Sequence, residues 1–78
     1  MDYKIITISQ LDALLSAWGA GQDVEKTCFL IEPKNNDCYI AVDNTSGDFF
    51  IETFKSRSLC LEYFEGVSLE ELYQQVIN

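Results

Sequence analysis

The sequence predicts one α+β domain spanning residues 1–78, in the order β-α-β-β-β-α-α, and three observations carry that prediction. An apolar stripe with helical spacing, Leu11, Leu14, Leu15 and Trp18, follows a short β-branched run near the start of the chain. Three apolar runs come next, "TCFLIEP" (27–33), "DCYIAVD" (37–43) and "DFFIETF" (48–54), each separated from the next by residues that favour tight turns. The remainder returns to helical spacing, with serines placed where helix caps belong. Helices packed on an antiparallel sheet follow from this order.

The elements can be justified one by one. Tyr3 to Ile6 has two β-branched residues and an aromatic, and reads as a short strand. Thr7 with Gln10 forms a capping-box pattern that opens the first helix, with Ser9 and Asp12 a weaker one; Gly19 is a helix stop before the loop "GAGQD". Asn35-Asn36 suits a two-residue turn requiring positive φ, and "NTSG" (44–47) a four-residue loop with Gly47 left-handed. Two hairpins in series make a meander with residues 37–43 in the middle. Ser56 or Ser58 can cap a helix bearing Leu59, Cys60, Tyr63 and Phe64, which Gly66 ends. Ser68 and Glu71 form a second capping box, opening a last helix whose stripe is Leu69, Leu72, Tyr73 and Val76.

The two turns imply a register. A four-residue "NTSG" loop sets Asp43 opposite Asp48, Val42 opposite Phe49, Ile40 opposite Ile51 and Cys38 opposite Thr53. The Asn35-Asn36 turn sets Lys34 opposite Asp37 and brings Phe29 and Ile31 onto the same apolar face. The other face then shows Leu30, Tyr39, Ala41, Phe50 and Phe54 beside Asp37, Asp43, Asp48 and Glu52. Aromatics among carboxylates suit a binding surface; a covering helix would equally account for them.

Composition narrows the function classes. No stretch approaches the roughly 20 apolar residues of a membrane span, and no signal peptide is expected. Cys28, Cys38 and Cys60 lie in apolar runs without a C-x-x-C pair, and there is no histidine, so free thiols in a reducing cytoplasm are expected. The charge is the outlier: thirteen Asp and Glu against five Lys and Arg give −8. Residues 35–54 carry Asp37, Asp43, Asp48 and Glu52 with no base, and residues 58–78 carry Glu62, Glu65, Glu70 and Glu71 with none. Such a chain repels nucleic acid and anionic membrane, and favours a basic protein partner or simply solubility.

Chemical motifs do not emerge. An EF-hand loop begun at Asp43 would place Gly47 one position early and Phe54 where a Glu is needed. No histidine serves as a base, Ser and Cys nucleophiles lack a partner, and "GAG" follows a helix instead of opening one. The chain therefore reads as a non-enzyme without cofactor or metal.

Carboxylates spaced over a small fold can occupy a channel built for phosphates. In format the chain resembles the small acidic inhibitors of phages and mobile elements, the anti-CRISPR and DNA-mimic proteins, with "AVDNTSGDFFIETFKS" reading as a unit of such proteins. That resemblance implies an inhibitor acting in the host cytoplasm on a CRISPR effector or nuclease by blocking its nucleic-acid channel. The residues expected at the contact are Asp37, Tyr39, Asp43, Asp48, Phe50, Glu52, Glu62, Glu65, Glu70 and Glu71. The alternatives are an immunity protein or antitoxin against a nuclease, and a structural domain that forms a homodimer through an edge strand or its aromatic face.

Overall fold

A computed structural model describes residues 2–35 and 37–77; Asn36 of the expected turn and the side chain of Val76 in the last stripe lie outside the described residues. The element order is the expected one: β1 (Tyr3–Ile5), α1 (Ile8–Gly19), β2 (Cys28–Ile31), β3 (Tyr39–Asp43), β4 (Phe50–Phe54), α2 (Arg57–Phe64) and α3 (Leu69–Ile77). The sheet is four-stranded and mixed, in the order β1-β2-β3-β4. β1 runs parallel to β2, a correction to the purely antiparallel sheet expected above; β2–β3 and β3–β4 are antiparallel. The physical reason is the intervening helix: the β1-α1-β2 crossover returns the chain in its starting direction.

Local signals explain most boundaries. The Thr7 side chain accepts from the Gln10 N–H (3.1 Å), and the Gln10 side chain accepts from the Thr7 N–H (2.8 Å), the reciprocal box that starts α1. Ser56 is the cap of α2, its hydroxyl accepting from Leu59. Glu71 N–H donates to Ser68 Oγ at the start of α3. Asn35 has φ 65°, as the turn between β2 and β3 requires.

β2 is buried along its whole length. Its alternating residues serve two cores, which is why its sequence is continuously apolar. Phe29 and Ile31 join Val42, Phe49 and Leu11 beneath α1, with Leu14 and Leu15 packed alongside. Cys28 and Leu30 join Ala41, Phe54, Leu59, Cys60, Phe64 and Leu72 beneath α2 and α3. The face expected to display aromatics is therefore covered by two helices over much of its area. Phe54 is buried, and Tyr39 is half-buried against the same cluster.

The β2–β3 register is the expected one, with Phe29 opposite Val42 and Ile31 opposite Ile40. The β3–β4 register differs: Val42 pairs with Ile51, Ile40 with Thr53, and Asp43 with Phe50 rather than Asp48. The loop is 44–49 rather than 44–47. The shift is even, so each side chain keeps its expected face.

Asn44 accounts for the longer loop. Its side chain is only 1 % exposed; Nδ2 donates to the Glu25 carbonyl (2.9 Å), and Oδ1 accepts from the Phe49 N–H (3.2 Å). Phe49 takes a left-handed φ of 51° and turns its ring into the core beneath α1, 5.4 Å from Trp18. Gly47, at φ 90°, occupies a conformation costly for any side chain, and its carbonyl accepts from the Trp18 indole (2.9 Å). The segment is a turn, but one closed by tertiary hydrogen bonds.

Candidate protein-binding interface

The charge is partitioned by the fold. Residues 1–34 hold Asp2, Asp12, Asp23, Glu25 and Glu32 against Lys4, Lys26 and Lys34, while Lys55 and Arg57 lie at the β4–α2 junction. Lys4 pairs with Glu25 at 2.7 Å, and Arg57 pairs with Glu32. Residues 1–34 therefore carry a net −2 and residues 35–78 a net −6, eight carboxylates against Lys55 and Arg57. The more acidic segment makes up β3, β4, α2 and α3, which pack on one another through Ala41, Phe54, Leu59, Phe64 and Leu72.

An aromatic patch lies within this acidic half. On β4, Phe50 is 56 % exposed and sits across from Asp43. Two residues on and on the same face, half-buried Glu52 accepts from the Tyr73 hydroxyl of α3 at 2.9 Å. Tyr73 is 44 % exposed, with its ring 6.1 Å from Phe54; Tyr63 of α2 packs on Phe54 from 5.5 Å. The electrostatics record the crowding. The Tyr63 phenol titrates above its ordinary range, first because it is buried and then because Asp43 and Glu52 oppose another negative charge. Tyr73 is raised first by its hydrogen bond to Glu52. A cation brought here meets carboxylates and the faces of exposed rings together.

The ten expected contact residues are not all gathered. Asp43, Phe50 and Glu52 share one end of β3–β4 and one face. Asp43 is partly engaged within the loop, accepting from Thr45 N–H (3.0 Å) and Oγ1 (2.6 Å). Asp48 lies on the loop, accepting from Ser46 Oγ, with the Lys26 stem running beside Gly47. Glu65, Glu70 and Glu71 are exposed on the helical layer, and Glu62 is half-buried. Asp37 is at the other end of β3, on the rim of a groove of about 720 Å³ walled by Ile5, Ile8, Ile40 and Thr53. Tyr39 is half-buried against the core. Tyr73 was missed because its place in the α3 stripe reads as core; its hydroxyl was the signal, since a phenol seeks a polar partner.

Among the described residues, no three Asp, Glu, Cys or His side chains are grouped to hold a metal ion, and no helix is long and apolar enough to cross a membrane.

The three cysteines are reduced thiols, not joined in disulfides. Burial pushes both Cys28 and Cys60 up to about 11, with Asp43 adding to the effect at Cys28; Cys38 is only half-buried. At pH 8 an alkylating reagent is expected to modify Cys38 well before the other two, and mass spectrometry of the partly modified protein checks this. The unfolded thiols titrate near 9.0, so their contribution to stability is intact below that pH and is lost as the pH rises toward 11. Denaturant melts from pH 8 to 11 should show the loss. Equal reactivity of all three thiols at pH 8 would contradict the burial.

No protein-family model, curated protein or solved structure matches the chain.

Proposed function

We propose that this protein is a non-catalytic inhibitor that binds a basic, nucleic-acid-handling protein, a CRISPR effector or a nuclease, and blocks its nucleic-acid channel. The observation that carries this reading is the uneven charge: residues 35–78, which form β3, β4, α2 and α3, hold −6 of the net −8, and Phe50 and Tyr73 are exposed among them. A charge needed only for solubility has no reason to concentrate in half of the molecule. Carboxylates on β4, α2 and α3 steer the encounter, and the rings anchor it. The reduced thiols fit action in the cytoplasm.

The test begins with capture from a host lysate and continues with the purified partner. Raising salt from about 50 to 500 mM shortens the Debye length roughly threefold. Association should slow by roughly tenfold or more, with little change in dissociation. DNA or RNA should compete for the same surface. A salt-independent association rate without nucleic-acid competition would refute the proposal.

A further inference from the structure

The sheet has two edges, and they are built differently. β1 is short, and its central residue is Lys4, held by Glu25. A short strand with a lysine is a common guard against strand addition. β4 closes the other edge, and among the described residues nothing pairs with its outer side. Residues Phe50–Phe54 contain no lysine, proline or glycine. The only charge is Glu52, at the centre.

The side chains that flank this edge differ between the two faces. Phe50, Glu52 and Phe54 point to the α2–α3 side, where Glu52 accepts from the Tyr73 hydroxyl and Phe50 is exposed across from Asp43. Ile51 and Thr53 point to the α1 side. The buried leucine of α1 packs over Phe29, Ile31, Val42 and Phe49, leaving Ile51 41 % exposed and Thr53 on the wall of the apolar groove. One face of the open edge is acidic and aromatic; the other is apolar.

From this we infer that β4 is a docking edge for an extended segment of the partner, one that alternates basic and apolar residues and adds as a fifth strand. Main-chain groups of alternate β4 residues supply the hydrogen bonds. The partner's basic side chains fall beside Glu52 and over the Phe50 ring, and its apolar ones fall beside Ile51 and Thr53. A second copy of this chain is a poor occupant, because antiparallel β4 strands would bring one Glu52 toward the other between molecules each carrying −8. Glu52 thus discourages self-pairing while favouring a basic strand. The inference rests on the acidic-surface reading above and specifies how that surface is used.

The probes are short synthetic peptides of lysine and valine with one composition: one alternating, one with lysines and valines in separate blocks, and one alternating but N-methylated at every second amide. Isothermal titration measures affinity, and hydrogen exchange reports the β4 amides. The alternating peptide should bind at least about tenfold more tightly than the other two, the equivalent of one or two hydrogen bonds. It should also protect β4 amides. Glu52→Gln, which can still accept from Tyr73, and the exposed-site change Phe50→Ala should each weaken it several-fold. If all three peptides bind equally and salt abolishes the binding, the edge mode is wrong while the acidic surface stands. If none binds, both readings fail. If the protein alone sediments as a dimer that Glu52→Lys dissociates, a second copy occupies the edge and the inference is overturned.

Discussion

Replacing Asn44 with alanine should cost about 2–4 kcal/mol of stability, because two backbone groups lose their partner together. The Asn44 amide is 1 % exposed and lies between the Glu25 carbonyl and the Phe49 N–H. Alanine supplies neither bond, and the buried Phe49 N–H has no ready access to water. The left-handed φ of 51° at Phe49 then loses a restraint that holds it there. A domain of this size has a total stability of about 4–12 kcal/mol, so the variant should melt far below the parent. Asn44→Asp separates the two bonds. Its carboxylate can accept from Phe49 but repels the Glu25 carbonyl, and regains a donor when protonated. The stability gap between this variant and the parent should narrow as pH falls. Urea melts at neutral and acidic pH measure both effects; an alanine variant within about 0.5 kcal/mol of the parent, the usual range for surface changes, would show that the amide bridge does not hold the loop.

That loop also marks where the sequence stopped being legible. Signals confined to a few neighbouring residues carry through to the structure: the Thr7–Gln10 box, the positive φ at Asn35, the cap at Ser68, the left-handed Gly47, and Ser56 as the cap of α2 out of the Ser56 and Ser58 alternatives. The β2–β3 register followed from one short turn. The β3–β4 register did not, because Asn44 bonds to Glu25 and Gly47 to Trp18, partners far away in the chain. The period of two limited the damage: an even shift left Ile40, Val42, Ile51 and Thr53 on one face, although their partners changed.

The same limit applies to the site. Alternation in β3 and β4 placed Tyr39, Phe50 and Phe54 on one face but could not say how far a helix would reach across it. α2 and α3 cover Tyr39 and Phe54 and leave Phe50 open. The run without bases in 35–54 and 58–78 was plain in the sequence; that these segments pack together depended on the tertiary arrangement of α2 and α3 on the sheet. The parallel β1–β2 pair was not legible, since β1 is too short to show a pattern and its place is decided by the crossover through α1.

Removing the Leu72 side chain should have the other large effect, and it tests whether the acidic half is one rigid unit. Leu72 is fully buried against the core that α2 and α3 share, and truncation of such a leucine costs about 2–5 kcal/mol. α3 spans only Leu69–Ile77, too short to persist as a helix without tertiary packing. Leu72→Ala should therefore release α3 before the rest of the domain unfolds, while α1 continues to cover its own core on the opposite face of the sheet. Native-state hydrogen exchange should show early loss of protection in α3, with β2 and β3 opening only in global unfolding. Ultraviolet titration gives an independent reading. Freed from Glu52, the Tyr73 phenol should titrate at lower pH than in the parent, toward its ordinary value. Tyr73→Phe is the matched control, since it removes the hydrogen bond but keeps the ring beside Phe54. Partner binding should weaken in Leu72→Ala even where the protein remains folded, because Tyr73 would no longer be held against β4 and Glu70 and Glu71 would no longer be fixed on the helical layer. If α3 and β3 lose protection together, the helix is part of the global folding unit; the variant's weaker binding would then measure only the fraction unfolded, and α3 would have no separate part in presenting the acidic surface.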